Sequence, residues 1–340
     1  MTLKRLLFGL LSAYLGVLFT WFGLYAFTGD SIRYVGLTNY VVQLYFFLLI
    51  PLSLVIIWLR SRALGLAAIL AALIFLNLWG HLFTPYRLST PLQNEPLTVM
   101  TFNVLGMHGL PQPSIEVIRD VDADVVFLQE LGPLVAAAMA TELLEPYPHQ
   151  ILNPGPGPEG MGLLSKLPLS PTDLQLPHDW VGEPQLVEIV WQDQVVLLVN
   201  FHTYSTDFMP LGPLNANFDA REAQAQALAD LSARSDTPLI VAGDANAGPL
   251  NEAYKIIAGE LDDAWAVGGF GFGHTFPGSD LEFSDRPSFL GISAPQWMWR
   301  IDYVFFSNAF ELNTVSLAPF DGASDHRGVI AELVLRSPND

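Results

Sequence analysis

Three long stretches of the first 87 residues, 6–27, 34–59 and 63–86, contain no charged side chain. Each exceeds the ~20 residues that an α-helix needs to cross a hydrocarbon core about 30 Å thick. The first is too long for a cleaved signal, and no small-residue cleavage site follows it. Residues 1–87 are therefore expected to form three transmembrane helices. Lys4, Arg5, Arg60 and Arg62 fall on one side of this arrangement, and Arg33 and Arg87 on the other. The excess of positive charge on cytoplasmic loops predicts a multi-pass cell-membrane protein whose residues from 88 onward lie outside the cytoplasm. Trp21, Tyr25, Tyr40, Trp58 and Trp79 sit near the segment ends, where interfacial aromatics concentrate.

Residues 88–96, bounded by Pro85, Pro91 and Pro96, read as a short stiff linker, after which the composition changes. Residues 97–340 carry nine Lys and Arg against 32 Asp and Glu. So acidic a domain is a poor match for duplex nucleic acid, whose binding rests on cations that neutralise phosphates. A small phosphoester held through a metal is compatible with it. The chain has no cysteine, which excludes disulfides, thiolate metal sites and cysteine nucleophiles.

From residue 97 short β-rich runs alternate with helical ones. Strands are predicted over 97–104, 125–128, 161–164, 186–191, 195–201, 239–242, 302–306 and 329–335, and helices over 114–120, 133–144 and 217–233, an α/β pattern. Polar residues cluster at the ends of the strand-like runs: Asn103, Gln129-Glu130, His202, Asp244 and Asn246, Asp302, and Asp325-His326. Strand ends that lead into loops are where α/β folds build sites. Carboxylates and amide oxygens suit a hard cation such as Mg²⁺ or Mn²⁺. Two histidines add acid–base or phosphate-binding capacity. Each element alone has an ordinary structural reading: Asn103 as a turn cap, GDAN as a β-turn, Asp302 as an ion-pair partner of nearby Arg300.

Taken in order, TFNV, DADVVFLQE, GMGLLSKLPL, VNFHT, PLIVAGDAN, RIDYVFFS and SDHRGV resemble the endonuclease/exonuclease/phosphatase superfamily with the DNase I-like fold. The resemblance runs from about residue 97 to 335. It implies a four-layer α/β sandwich over 97–340 and hydrolysis of a phosphoester by in-line attack of water, with Mg²⁺ or Mn²⁺ as cofactor. It further implies Glu130 as principal metal ligand with Asn103 and Asp325, Asp244 positioning the water, and Asn246 beside it. His326 would contact the scissile phosphate with its imidazole oriented by Asp302, and His202 would contact a phosphate oxygen or serve as acid. Ser165 is expected to be structural, Arg221 and Gln224 to stand behind the site residues or on the surface, and His274 belongs to a substrate-side loop or a turn. His108 and His178 have no motif partner.

The tether beside a bilayer favours a phospholipid headgroup or another small phosphoester as substrate; no protein partner is expected. The rivals are an extracytoplasmic nuclease and a degenerate module that only binds. Residues 106–113, 204–214 and 268–299 match no branch of the family. The last is rich in glycine and aromatics, consistent with a substrate platform, a membrane contact or loop packing.

Overall fold

The computed structural model describes residues 3–84, 94–205, 211–278, 288–289, 292–293 and 295–336. The chain divides into two units, Met1–Thr84 with Leu250–Glu252, and Pro85–Pro249 with Ala253–Asp340. In the first, three helices are long and apolar enough to cross a membrane: Leu3–Thr28, Val42–Leu59 and Arg62–Phe83. Only 22% of each apolar window is buried, so Leu10, Leu54, Leu66 and Leu73 point outward, the pattern of helices whose solvent is apolar. Arg60 ends one helix in the left-handed region (φ 52°), and the Ser61 hydroxyl caps the next by accepting from Leu64 N at 3.3 Å.

The second expected span, 34–59, is not one helix. Residues Arg33–Thr38 form a separate short helix, and the segment long and apolar enough to cross begins at Val42. Asn39 lies in the break. Its buried amide accepts from Trp21 Nε1 (3.2 Å) and donates to Asp30 Oδ1 (2.9 Å), so a polar side chain turned inward replaces helix continuity there.

The second unit holds fourteen strands among its described residues: β1 (Leu97–Asn103), β2 (Val125–Gln129), β3 (His149–Asn153), β4 (Met161–Ser165), β5 (Ser170–Pro171), β6 (Gly182–Trp191), β7 (Gln194–His202), β8 (Leu239–Asp244), β9 (Asp262–Asp263), β10 (Ser288–Phe289), β11 (Ile292–Ser293), β12 (Asp302–Phe306), β13 (Phe310–Leu317) and β14 (Val329–Leu335). One six-stranded sheet runs β13-β14-β1-β2-β4-β3 and the other β5-β6-β7-β8-β12-β9. Both are mixed, with β1–β2 and β7–β8 as parallel pairs.

Side chains alternate along each strand. Leu97, Val99, Val125 and Phe127 from one sheet meet Val196, Leu198, Ile240, Ala242, Val304 and Phe306 from the other. The opposite face of the first sheet packs on the helices Pro111–Val121 and Pro133–Glu142 through Met100, Phe102, Val126 and Ile118. That of the second packs on Leu211–Arg234 and Glu252–Ala258 through Val199, Phe201, Val241 and Leu228. The result is the expected four-layer α/β sandwich. Full burial of each such side chain stabilises the fold by about 1.5–3 kcal/mol.

The apolar inter-sheet face turns polar at one edge. The inward series Leu97-Val99 continues to Thr101 and Asn103, Val125-Phe127 to Gln129, Val196-Leu198 to Asn200 and His202, and Ile240-Ala242 to Asp244. Asn200 is fully buried and joins the sheets. Its Oδ1 accepts from Gln129 Nε2 (2.7 Å), and its Nδ2 faces Leu128 O (3.0 Å), Gly162 O (2.9 Å) and Gln185 Oε1 (2.9 Å). Asn200→Ala leaves these acceptors without their donor. It is expected to cost roughly 2–4 kcal/mol of stability, read as a lowered denaturation midpoint of the full chain in detergent.

Candidate functional site

Strand register brings the site residues together. β7 and β8 run parallel and end opposite one another on His202 and Asp244. β12 runs antiparallel to β8 and begins on Asp302, in register with Asp244. In the other sheet β1 and β2 end side by side on Asn103 and Gln129. Glu130 follows in the left-handed region (φ 54°), which turns the chain out of the strand. Glycines make room for that turn: Gly106 N donates to Glu130 O (2.7 Å), and a Cβ on Gly160 would lie 2.1 Å from Leu131 O. Gly243, just before Asp244, lies so close to Phe201 that a Cβ would come within 1.9 Å of its carbonyl oxygen.

Asn103 links the sheets at the site. Its Nδ2 donates to Glu130 Oε1 (3.0 Å) and to Asp244 Oδ2 (3.1 Å). Its carbonyl accepts from Ser324 Oγ (2.7 Å), which in turn accepts from His326 N (3.0 Å). Asp244 Oδ1 accepts from Asn246 N at 2.8 Å, and Asn246 holds φ 45°. His202 Nδ1 faces Pro158 O (3.1 Å), which can only accept, so this nitrogen carries the proton. Nε2 then accepts from Asn246 Nδ2 at 3.2 Å. His326 Nδ1 donates to both Asp302 oxygens (3.1 and 2.9 Å), while its Nε2 lies 3.8 Å from Asp244 Oδ2 and from Asp325 Oδ1.

The two histidines are driven apart. Burial pushes the His202 imidazole down. Burial also opposes a charge on His326, but the Asp302 and Asp244 carboxylates outweigh it and hold the imidazole well above its ordinary value. Burial raises Glu130, Asp244 and Asp325; the Asp302 carboxylate adds to the rise at Asp244. Three carboxylates, Asp244 buried and Glu130 and Asp325 half-buried, thus sit where anions are unfavourable without added positive charge.

The donor set fits a hard divalent cation. Asp325 Oδ1 is buried with no hydrogen-bond partner among the described residues, an acceptor of the kind a cation satisfies. Ligand atoms of Asp244, Asp302 and His326 also lie within 4.8 Å of one another. In that group, however, both Asp302 oxygens already engage His326 Nδ1.

All eight residues singled out in the sequence converge here: Asn103, Glu130, His202, Asp244, Asn246, Asp302, Asp325 and His326. Arg300 pairs with buried Asp263 rather than with Asp302. Ser165 is buried in β4, where its hydroxyl accepts from Leu167 N. Arg221, also buried, donates to Asn246 O (2.8 Å) and Tyr204 O (3.3 Å), so it props the site from behind. Gln224 braces Tyr204 N in the same way. His274 stacks on Phe272 at 5.3 Å, and burial pushes its imidazole down to about 4.

Of the 268–299 stretch, 279–287, 290–291 and 294 lie outside the described residues. Trp299 is buried and stacks on Phe276, whose ring lies 4.8 Å from that of His326. That part of the aromatic loop is packing against the site. Sequence reasoning assigned no role to Asn200, although it stands in the VNFHT piece, or to Gln185, because the partners of a mid-strand amide are not visible along the chain. Ser324 and Thr275 were also missed; Thr275 Oγ1 accepts from Ile301 N and Asp302 N.

The sequence profile of the Endonuclease/Exonuclease/phosphatase family matches residues 100–326, an interval that contains all eight residues. No curated protein matches the chain. Similar solved structures include D. rerio TDP2 complexed with single strand DNA product, 16% identical, covering 71% of this chain and 100% of that one with a TM-score of 0.55. Truncated Caenorhabditis elegans TDP2 is 19% identical over 70% and 97% of the two chains, with a TM-score of 0.52. Sphingomyelinase C from Streptomyces griseocarneus is 20% identical over 72% and 99%, with a TM-score of 0.47. The two TDP2 structures share the fold.

The His326–Asp302 pair has a direct signature. A histidine raised above its unfolded value stabilises the fold fully below that value, and the contribution is lost as pH rises through the folded pKa. In chelator-treated protein the His326 ring, followed by NMR, is expected to stay protonated at neutral pH while His202 stays neutral. Asp302→Asn should bring the His326 titration down; an unchanged titration would break the pairing.

Proposed function

Because the chain belongs to the Endonuclease/Exonuclease/phosphatase family, we propose that it is a membrane-tethered, divalent-metal-dependent phosphoesterase acting on a phospholipid headgroup or a similar small phosphoester. The observation that carries this reading is the meeting of four carboxylates, two amides and two oppositely shifted histidines on one edge of the sandwich. Glu130, Asp325 and Asn103 would hold Mg²⁺ or Mn²⁺. The unpartnered Asp325 Oδ1 supports that set over one built on Asp302 and His326, which satisfy each other. The cation would supply Lewis-acid stabilisation of charge on the phosphoryl oxygens.

The chain's own groups would do the rest. Asp244, its Oδ1 fixed by Asn246 N, orients the attacking water and takes its proton. Charged His326, oriented by Asp302, donates from Nε2 to a phosphoryl oxygen. His202, neutral with its proton on Nδ1, accepts from Asn246 Nδ2 at Nε2 and so holds that amide beside Asp244; it would reach a phosphoryl oxygen or the leaving group as a donor only with its proton on Nε2. Nine Lys and Arg against 32 Asp and Glu over 97–340 support a small or lipid phosphoester over duplex nucleic acid.

The three apolar helices support a tether, and Lys4, Arg5, Arg60 and Arg62 support an extracytoplasmic catalytic unit. Protease added to intact cells is then expected to cleave within residues 97–340. Protection until the membrane is opened would reverse the orientation.

The chemistry is tested on the full chain in detergent, screened against phospholipids, nucleotides and nucleic acids with Mg²⁺ or Mn²⁺. Glu130→Gln keeps the shape and removes one anionic ligand. It is expected to lower turnover at least about a hundredfold with the melting temperature retained, and to weaken Mn²⁺ binding in a direct titration. Near-normal activity of the folded variant at modest metal would remove Glu130 from its role.

A further inference from the structure

Asp302 stands at the very start of β12, where the sheet gives it little support. β8 pairs along the whole of β12, from Asp302 opposite Asp244 to Phe306 opposite Ile240. Among the described residues β9 pairs only with Phe305 and Phe306, at the far end. At the near end a side chain supplies an acceptor: Thr275 Oγ1 accepts from Ile301 N (3.2 Å) and Asp302 N (3.4 Å). Thr275 is fully buried, and a β-branched side chain has few rotamers open to it. Its hydroxyl is therefore a fixed point for the strand start.

The backbone of the same residue reaches the other member of the Asp302–His326 pair. Thr275 N donates to Trp299 O (2.7 Å), and Thr275 O accepts from Arg327 N (2.9 Å), one residue past His326. Its neighbours repeat the pattern. His274 O accepts from Arg327 Nη2 (2.9 Å), and Gly278 N donates to Asp325 O (2.7 Å). Phe276 and Trp299 exchange backbone bonds of 2.9 and 2.8 Å. Residues 274–278 thus run between the strand start that carries Asp302 and the loop that carries His326, bonded to both. Ser324 holds His326 N and joins it to Asn103 in the first sheet; Thr275 joins the same loop to Asp302.

We propose that Thr275 is a positioning residue for the Asp302–His326 pair. It acts through the backbone of Asp302, setting it so that both carboxylate oxygens meet His326 Nδ1 at 3.1 and 2.9 Å. Without the hydroxyl two buried N–H groups lose this acceptor, the start of β12 is free to shift, and the imidazole loses its aim. Aim is what transfer to a phosphoryl oxygen depends on, since a misplacement of about 1 Å costs about a hundredfold in rate. The effect on turnover rests on the phosphoesterase reading; the hold on the pair does not.

The test uses the full chain in detergent, with bis(p-nitrophenyl) phosphate and Mn²⁺ for turnover. Thr275→Val keeps the shape and removes the hydroxyl, and Thr275→Ser keeps the hydroxyl. The valine variant is expected to lower kcat at least about tenfold with KM within about twofold, and the serine variant to recover most of the loss. In an Asp302→Asn background Thr275→Val should add little, because residues that act through one another are non-additive. Equal losses in both backgrounds, or no recovery by serine at a retained melting temperature, would overturn the proposal. A second reading needs no turnover. The hydrogen-bonded Nδ1 proton of His326, observed by NMR in chelator-treated protein and assigned by its absence in His326→Gln, should shift or broaden in Thr275→Val and return in Thr275→Ser. An unchanged signal in the valine variant would also overturn the proposal. Should the valine variant not fold, Thr275→Ala, which leaves room for a water on the freed N–H groups, is read in the same two ways. A proton signal that follows the hydroxyl in a protein that hydrolyses no ester would sink the phosphoesterase reading and keep the positioning role. Hydrolysis with kcat and signal both indifferent to the hydroxyl would do the reverse.

Discussion

Amides that bridge two β-sheets hold the α/β unit and the polar cluster at its edge in one arrangement. Half of the site comes from each sheet and the loops at its strand ends: Asn103, Glu130, Asp325 and His326 from one, His202, Asp244, Asn246 and Asp302 from the other. Apolar packing between sheets has no direction of its own and would tolerate small slips. Hydrogen bonds from buried amides do not, since a displaced partner is left unsatisfied at a cost of about 1–3 kcal/mol. Asn200 and Gln129 fix the sheets just beneath the site, and Asn103 fixes them again within it, through Glu130 and Asp244.

That rigidity matters because the site concentrates like charge. Glu130, Asp244, Asp302 and Asp325 crowd an edge where burial already disfavours anions. Left free, such side chains would separate or turn to solvent. Here three of the four are held: Glu130 and Asp244 by the Asn103 amide, Asp244 also by Asn246 N, and Asp302 by His326. The surplus negative charge is a standing preference for a cation. The opposite displacement of the two imidazoles follows from the same geometry: both rings are buried, but His326 Nδ1 donates directly to Asp302 at 2.9 Å, while the carboxylates nearest His202, Asp244 and Glu130, stand 3.7 and 3.9 Å from its Nε2 and do not outweigh its burial. One fold edge therefore offers a charged donor and a neutral acceptor at the same pH, the division of labour that acid–base chemistry requires.

Much of the fold was legible in local patterns. The strand-like runs at 97–104, 302–306 and 329–335 correspond to β1, β12 and β14 within a residue, because a short apolar run bounded by polar residues records a strand buried on both faces or nearly so. The strands β3 and β13 were not read: β3 is only partly buried throughout, and β13 alternates about a bulge between Leu312 and Thr314, so neither shows a clean period. The break at Asn39 was hidden for a different reason, since an uncharged amide inside an apolar run does not disturb hydropathy, and only its partners Trp21 and Asp30 reveal why the helix stops. The aromatic stretch 268–299 left three readings open. Burial of Trp299 against Phe276 decides for packing at that position.

The sequence by itself determined which polar residues end the strand-like runs and that three helices are apolar enough for a bilayer, since charge-free length, short apolar runs and polar strand ends are properties of neighbours along the chain. It could not determine which groups touch. Asn103 and Asp244 are 141 positions apart and Ser324 and Asn103 are 221 apart, so their contacts exist only once parallel and antiparallel registers have aligned the strand ends. Tertiary structure alone decided that Asp302 serves His326 while Arg300 turns to Asp263, and that Asn200 clasps the sheets. Partner choice depends on distance in space, and in a sandwich of two mixed sheets that distance bears little relation to separation along the chain.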